Sequence, residues 1–231
     1  QAVGKTSQRL FRPVAQSPMP DMSKLEGDGL DMAKRWVEYG VLTPDQANTS
    51  LQRVADAIAQ GAAQGNGGEA PKAEGKKVTA KPRPEPGNSL EESQRRTEVT
   101  DMLLADRQSS DPTVLTAASA LLTWDAGADP LAGSDDPAKQ FVTCDFSNQT
   151  PYILDPAPLL DGITDENGTR LTGNEIDTNS PINGGLNGQT GQMEISFRFK
   201  TGDGPNGAQT WANLTQEYLH KQVAITLDSA V

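Results

Sequence analysis

Gln192-Met193-Glu194-Ile195-Ser196-Phe197-Arg198-Phe199-Lys200 alternates strictly along its length. Met193, Ile195, Phe197 and Phe199 fall on one side of an extended backbone, and Glu194, Ser196, Arg198 and Lys200 on the other. Successive side chains of a strand point to opposite faces, so the pattern predicts a strand with one buried and one solvated face. Gly202, Gly204, Pro205 and Gly207 interrupt it. Trp211, Leu214, Tyr218 and Leu219 then recur at helical spacing before Val223, Ile225 and Leu227 resume the alternation. Strand, helix and strand in succession predict an α+β fold, with a right-handed crossover if both strands belong to one parallel pair. The alternation also places Phe197, Ile225 and Leu227 in one shared core.

Upstream, Phe141 to Phe146 and Tyr152 to Leu154 read as short strands separated by the turn-forming Ser147-Asn148. Asp165-Glu166-Asn167-Gly168 and Asn183-Gly184-Gly185 read as hairpin turns or exposed loops. Earlier still the period is helical. Thr43-Pro44-Asp45-Gln46 carries a cap, a first-turn proline and a glutamine three residues after the cap, and predicts a helix over about 44–60. A shorter helix is expected from Leu30 to Tyr39, ending at Gly40. Ser89 with Glu92 predicts a capped helix to Arg107, and Asp111-Pro112 predicts another through Leu122. Between them, residues 65–89 hold no apolar side chain larger than Val78 and read as a disordered, solvated linker, with Pro82, Pro84 and Pro86 favouring extended backbone.

The 231 residues carry 31 acidic and 20 basic side chains, a net charge of −11. Residues 1–100 hold 14 basic and 13 acidic groups, whereas residues 101–231 hold 6 and 18, a net of −12. A surface that neutralises phosphates needs the opposite balance, so non-specific nucleic-acid or anionic-lipid binding is not expected. Cys144 is the sole cysteine, which excludes an intrachain disulfide and a thiolate metal cluster. No stretch approaches the about 18 apolar residues of a membrane span, and Gln1 does not open a signal peptide. With Ala230-Val231 inside a strand-like run, the expectation is a soluble piece of something longer.

Catalytic chemistry finds little purchase. His220 is the only imidazole, and no G-x-S-x-G elbow or cysteine motif accompanies it. Cys144 sits in a strand-like run and is expected to be a buried, inert thiol. Asp165-Glu166-Asn167-Gly168 lacks the alternating oxygen ligands of a calcium loop, and the glycines of 202–207 lack the Lys-Ser/Thr of a phosphate loop. The expectation is therefore no enzyme, with no catalytic, cofactor or metal residue.

Two separated stretches resemble the SecD family of protein-export subunits. Gly4-Lys5-Thr6-Ser7-Gln8 leading to Leu10-Phe11-Arg12 resembles the entry to its extracytoplasmic domain. Leu171-x-Gly173-x-x-Ile176, Met193 to Phe199, Trp211-x-x-Leu214-Thr215 and Val223-Ala224-Ile225-x-Leu227-Asp228-x-x-Val231 resemble its head, and Val142-Thr143-Cys144 with Tyr152-Ile153-Leu154-Asp155-Pro156 resembles actinobacterial members. The resemblance implies a base-plus-head domain: 1–14 ending the first base segment, a helical insertion over 15–64 and 90–140 around the 65–89 linker, a β-rich connection over 141–170, and a truncated head over 171–231. It implies a cell-membrane subunit whose segment here is extracytoplasmic, assisting late translocation of unfolded preproteins with SecF and the SecYEG translocon. The proton gradient would act through membrane helices that this sequence does not include. Substrate-contacting residues are not implied. The alternative from another class is a secreted carbohydrate- or cell-wall-binding β-domain on a flexible stalk.

Overall fold

A computed structural model describes residues 8–16, 20–66, 73–123, 129–145 and 149–231. Its elements are β1 (Arg9–Pro13), α1 (Met22–Glu38), α2 (Pro44–Asn66), α3 (Ser89–Arg107), α4 (Pro112–Leu121), β2 (Phe141–Cys144), β3 (Pro151–Leu154), a single 3-10 turn (Gly173–Glu175), β4 (Asn183–Leu186), β5 (Met193–Ser196), α5 (Gly207–Glu217) and β6 (Val223–Leu227). The fold is α+β, with helices beside three two-stranded antiparallel ribbons, β1–β6, β2–β3 and β4–β5. The expected turn at Ser147-Asn148, residues 4–7 of the family resemblance and part of the 65–89 linker lie outside the described residues.

The helices form where caps and apolar stripes coincide. Thr43 and Gln46 bond reciprocally, the Gln46 N–H to the Thr43 hydroxyl at 3.2 Å and the Thr43 N–H to Gln46 Oε1 at 2.9 Å. Asp111 accepts from the Thr113 N–H at 2.8 Å and starts α4 at Pro112. Three boundaries differ from expectation, the first being α2, which runs to Asn66 and not to about residue 60. The start of α1 is Met22, because Asp21 supplies a cap ahead of Leu30 by accepting from the Ser23 N–H. In α3 the cap is Asn88, and Glu91 rather than Glu92 reaches back, to the Gly87 N–H at 2.7 Å. Asn88 holds the position because its Oδ1 accepts from both the Leu90 and the Glu91 N–H, at 3.1 and 3.0 Å.

α1, α2 and α4 pack around Met32, Trp36, Leu51, Leu115 and Leu121, all at most 2% exposed, and β2–β3 closes this core with Phe141, Val142 and Cys144. A second core gathers Phe11, Leu160, Leu171, Ile176 and Leu214, with Phe197, Phe199, Trp211 and Val223 packed against it. The β1–β6 ribbon lies between the two. Its register pairs Phe11 with Ile225 and Arg12 with Ala224. Paired residues share a face, so Phe11 and Val223 serve the second core while Leu10, Arg12, Ala224 and Thr226 turn to the other side.

This double use overturns the expected shared core. Ile225 and Leu227 are 49% exposed, and Ala224 and Thr226 are the buried residues of β6. The second core covers its face of the ribbon only near Phe11 and Val223, whereas the opposite face is sealed along its length. Nor do the last two strands form a parallel pair, since β5 pairs with β4 and β6 with β1.

Part of the 65–89 stretch also departs from the linker expected there. Over residues 73–88 the chain is an extended strap laid on the helices. Val78 is 5% exposed and its N–H donates to Asn48 Oδ1 at 2.7 Å. Gln52 clamps the strap by donating to the Ala73 carbonyl and accepting from the Gly75 N–H. The approach is so close that a Cβ on Gly75 would stand 2.8 Å from the Gln52 backbone. Further along, the Arg83 N–H donates to the Glu38 carbonyl and its guanidinium lies 4.0 Å from the Tyr39 ring centroid. Backbone hydrogen bonds and one valine hold what composition alone leaves loose.

Candidate functional site

Of residues 192–200, expected to present one buried face, β5 is exposed throughout, and only Phe197 and Phe199 beyond its end are partly buried against the second core. Phe199 and Trp211 stack edge-on against Phe11 at centroid distances of 5.1 and 5.5 Å, and Phe197 lies 5.4 Å from Phe199. Two and four residues earlier on the same side of the strand, Ile195 and Met193 are 73% and 74% exposed. The apolar side of this segment therefore starts at the second core, with Phe197 and Phe199 just past the end of β5, and overhangs it along β5.

β4 widens the overhang. Asn183-Gly184-Gly185, read as a hairpin turn or exposed loop, is instead an exposed strand paired with β5: Asn183 with Ser196, Gly184 with Ile195, Gly185 with Glu194, Leu186 with Met193. The turn lies beyond it, where the Asn187 N–H donates to the Gln192 carbonyl at 2.8 Å and Gly191 adopts φ +69°. Cross-strand pairing puts Leu186 beside Met193 and leaves Gly184 beside Ile195 on the apolar face, while Glu194 and Gly185 share the polar one. Leu186 is 68% exposed, and Ile182 just before the strand is exposed too. The Ile182-x-Gly184-x-Leu186 alternation was the available signal for this strand, hidden by two glycines that read as a turn.

The residues weighed for catalysis lie apart from one another. His220 is exposed in left-handed conformation (φ +65°) after α5. Cys144 is fully buried in the helical core, and burial pushes its thiol up to about 11. Asp165-Glu166-Asn167-Gly168 forms a tight exposed turn in which the Gly168 N–H donates to the Asp165 carbonyl at 2.8 Å. A cleft of about 390 Å³ beside it is lined by Asp136, Glu166, Arg170 and Glu175, and the Arg170 guanidinium there is already given to the Ala157 and Glu166 carbonyls. Among the described residues no helix is long and apolar enough to cross a membrane.

The chain is similar to a protein translocase subunit SecD from Mycobacterium tuberculosis, in both strain CDC 1551 / Oshkosh and strain H37Rv. Identity is 32% over 103 residues, which is 45% of this chain and 15% of each relative. The match thus spans a small fraction of those curated proteins. No protein-family profile matches the chain, and no solved structure matches it.

Proposed function

We propose that this chain is an extracytoplasmic part of a SecD-like protein-export subunit that holds unfolded preprotein during late translocation, and that the overhanging β4–β5 face is its contact surface. The similarity to SecD supports the export role, and the observation that carries the contact is the apolar side of β5, on which Met193 and Ile195 are nearly three-quarters exposed. Exposed apolar surface of this kind marks interaction sites. A handler of many sequences gains from side-chain-tolerant apolar contact and must release easily, so affinity is micromolar or weaker, a magnitude of about 8 kcal/mol or less. The whole subunit would work with SecF and SecYEG in the cell membrane and draw on the proton gradient, while this segment performs no hydrolysis.

The test is a pair of titrations of the 231-residue chain, one with a permanently unfolded secretory precursor and one with a soluble glycan panel. Weak, saturable, salt-sensitive binding of the precursor is expected. Saturable glycan binding without a response to the precursor overturns the export reading in favour of a carbohydrate-binding domain.

A further inference from the structure

The outer edge of β4 is bare in a way that its own fold does not demand. Neither Gly184 nor Gly185 has positive φ. A Cβ on Gly185 would meet nothing within 4 Å, and one on Gly184 would make only ordinary contact, 3.9 Å from the Glu194 carbonyl oxygen and the Ile195 side chain. Glycine inside a strand is destabilising relative to alanine, so two in a row at uncrowded positions call for a reason outside the hairpin.

The register shows what the glycines lay open. The Asn187 N–H donates to the Gln192 carbonyl and the Asn187 carbonyl accepts from the Gly191 N–H, so both backbone groups of Asn187 face the partner strand. Antiparallel pairs alternate, which makes Leu186–Met193 and Gly184–Ile195 the non-bonded kind. Gly184 and Leu186 therefore aim their N–H and C=O groups away from β5, at the open edge. Natural edge strands are usually guarded by lysine, proline or a bulge. β4 and β5 contain neither lysine nor proline. On the apolar face, the missing side chain at Gly184 also leaves a notch between Ile182 and Leu186.

We infer that the β4 edge accepts a third strand, an extended polypeptide segment with apolar side chains at alternate positions and basic residues flanking them. Charge selects this occupant. A second copy of the chain would bring its own −11, and the acid excess of −12 over residues 101–231 equally repels anionic lipid and nucleic acid. A basic segment is attracted instead, and main-chain bonds to Gly184 and Leu186 tolerate many sequences. The inference rests on the reading of this chain as a holder of unfolded polypeptide and adds the edge and the chemistry.

The experiment uses the full chain and a fluorescein-labelled peptide alternating Val and Thr between terminal lysines, followed by fluorescence anisotropy. Gly184→Pro removes an outward N–H without touching the bonds to β5, and is expected to weaken binding about tenfold, with an unchanged thermal midpoint. Alternate backbone N-methylation of the peptide asks the same question without altering the protein, and is expected to abolish binding. Replacing the terminal lysines by glutamates is expected to weaken it about fivefold. Equal binding by the N-methylated peptide, or by a Gly184→Pro variant that keeps its thermal midpoint, overturns strand addition and leaves the unfolded-chain reading standing. So does precursor binding without peptide binding. Failure of both precursor and peptide to bind overturns that reading as well. Self-association abolished by Gly184→Pro, seen by sedimentation, overturns the choice of occupant in favour of a second copy.

Discussion

Arg12 Nη2 donates to the Asp135 carboxylate at 2.6 Å, with both side chains at most 1% exposed, and this ion pair stands where the two cores meet. The same guanidinium donates to the Lys139 and Asp136 carbonyls and lies 5.8 Å from the Phe141 ring centroid. The other Asp135 oxygen accepts from the Ser229 hydroxyl at 2.6 Å, and that hydroxyl accepts from the Gly133 N–H. Asp228 and Ser229 both have positive φ, so the turn that follows β6 is held in an unfavourable conformation by the partners around it. Burial lowers the Arg12 pKa, and Asp135 opposes the shift, which keeps a charge in place at the joint.

Removing one partner of this pair leaves the other charge buried and uncompensated. Asp135→Ala is expected to destabilise the chain by about 3–5 kcal/mol in urea denaturation. The double variant Arg12→Met/Asp135→Leu should recover most of that loss. A single-variant cost below about 1 kcal/mol would show that the two cores do not depend on the pair.

Phe11 and Ile225 are cross-strand partners with opposite fates. Phe11→Ala should cost about 3–5 kcal/mol, because it empties the centre of the aromatic cluster. Ile225→Ala at a half-exposed position should cost about 1 kcal/mol or less. Comparable losses by thermal denaturation would mean that the ribbon faces are misassigned.

These faces mark where the sequence stopped being legible. The helix over 44–60 was readable because cap and apolar spacing agree locally, that over 89–107 although its cap is Asn88 and not Ser89, and the β2–β3 hairpin because its strands are short and adjacent. Ile225 and Leu227 were not, since an alternation says which residues share a side and not which side is covered. Leu10, Arg12 and Thr226 show why: their side of the ribbon is sealed by a polar seam assembled from residues about 90 to 130 positions distant. The candidate surface was not legible: the alternation puts Met193 and Ile195 on a buried face, whereas both are exposed, and Gly184 and Gly185 mask the strand beside them.

The strap over 73–88 gives a proteolytic prediction. Val78→Asp buries a charge against the helices and should release the strap, so that trypsin cuts after Lys76 and Lys77 at least about tenfold faster than in the unaltered chain. Equal rates would show that Val78 does not anchor it.

Titration acts at both ends of the pH scale. The Asp21 carboxylate is held below its ordinary value, first by the Ser23 hydroxyl and then by the Ser23 N–H. A depressed carboxylate stabilises the fold above its unfolded pKa of about 3.9, and that stabilisation is lost as pH falls through the lower folded value. Cys144 works in the opposite direction: burial raises it to about 11, so the unfolded thiol, near 8.5, ionises first and stability falls as pH rises from about 8.5 to 11. Cys144→Ala should flatten the alkaline limb of a stability–pH profile, and Asp21→Ala the acid limb. An unaltered alkaline limb in Cys144→Ala would mean that the thiol is not the group responsible.

The most direct measurement is the affinity of a permanently unfolded secretory precursor for the full chain carrying Met193→Ser and Ile195→Ser together, set against Leu90→Ser, an equally exposed apolar position at the start of α3. Both changes lie on the surface, so the thermal midpoint should stay within the range of the unaltered chain. The account predicts at least about tenfold weaker binding for the hairpin variant and no change for Leu90→Ser. Equal affinity for the hairpin variant and the unaltered chain would contradict it.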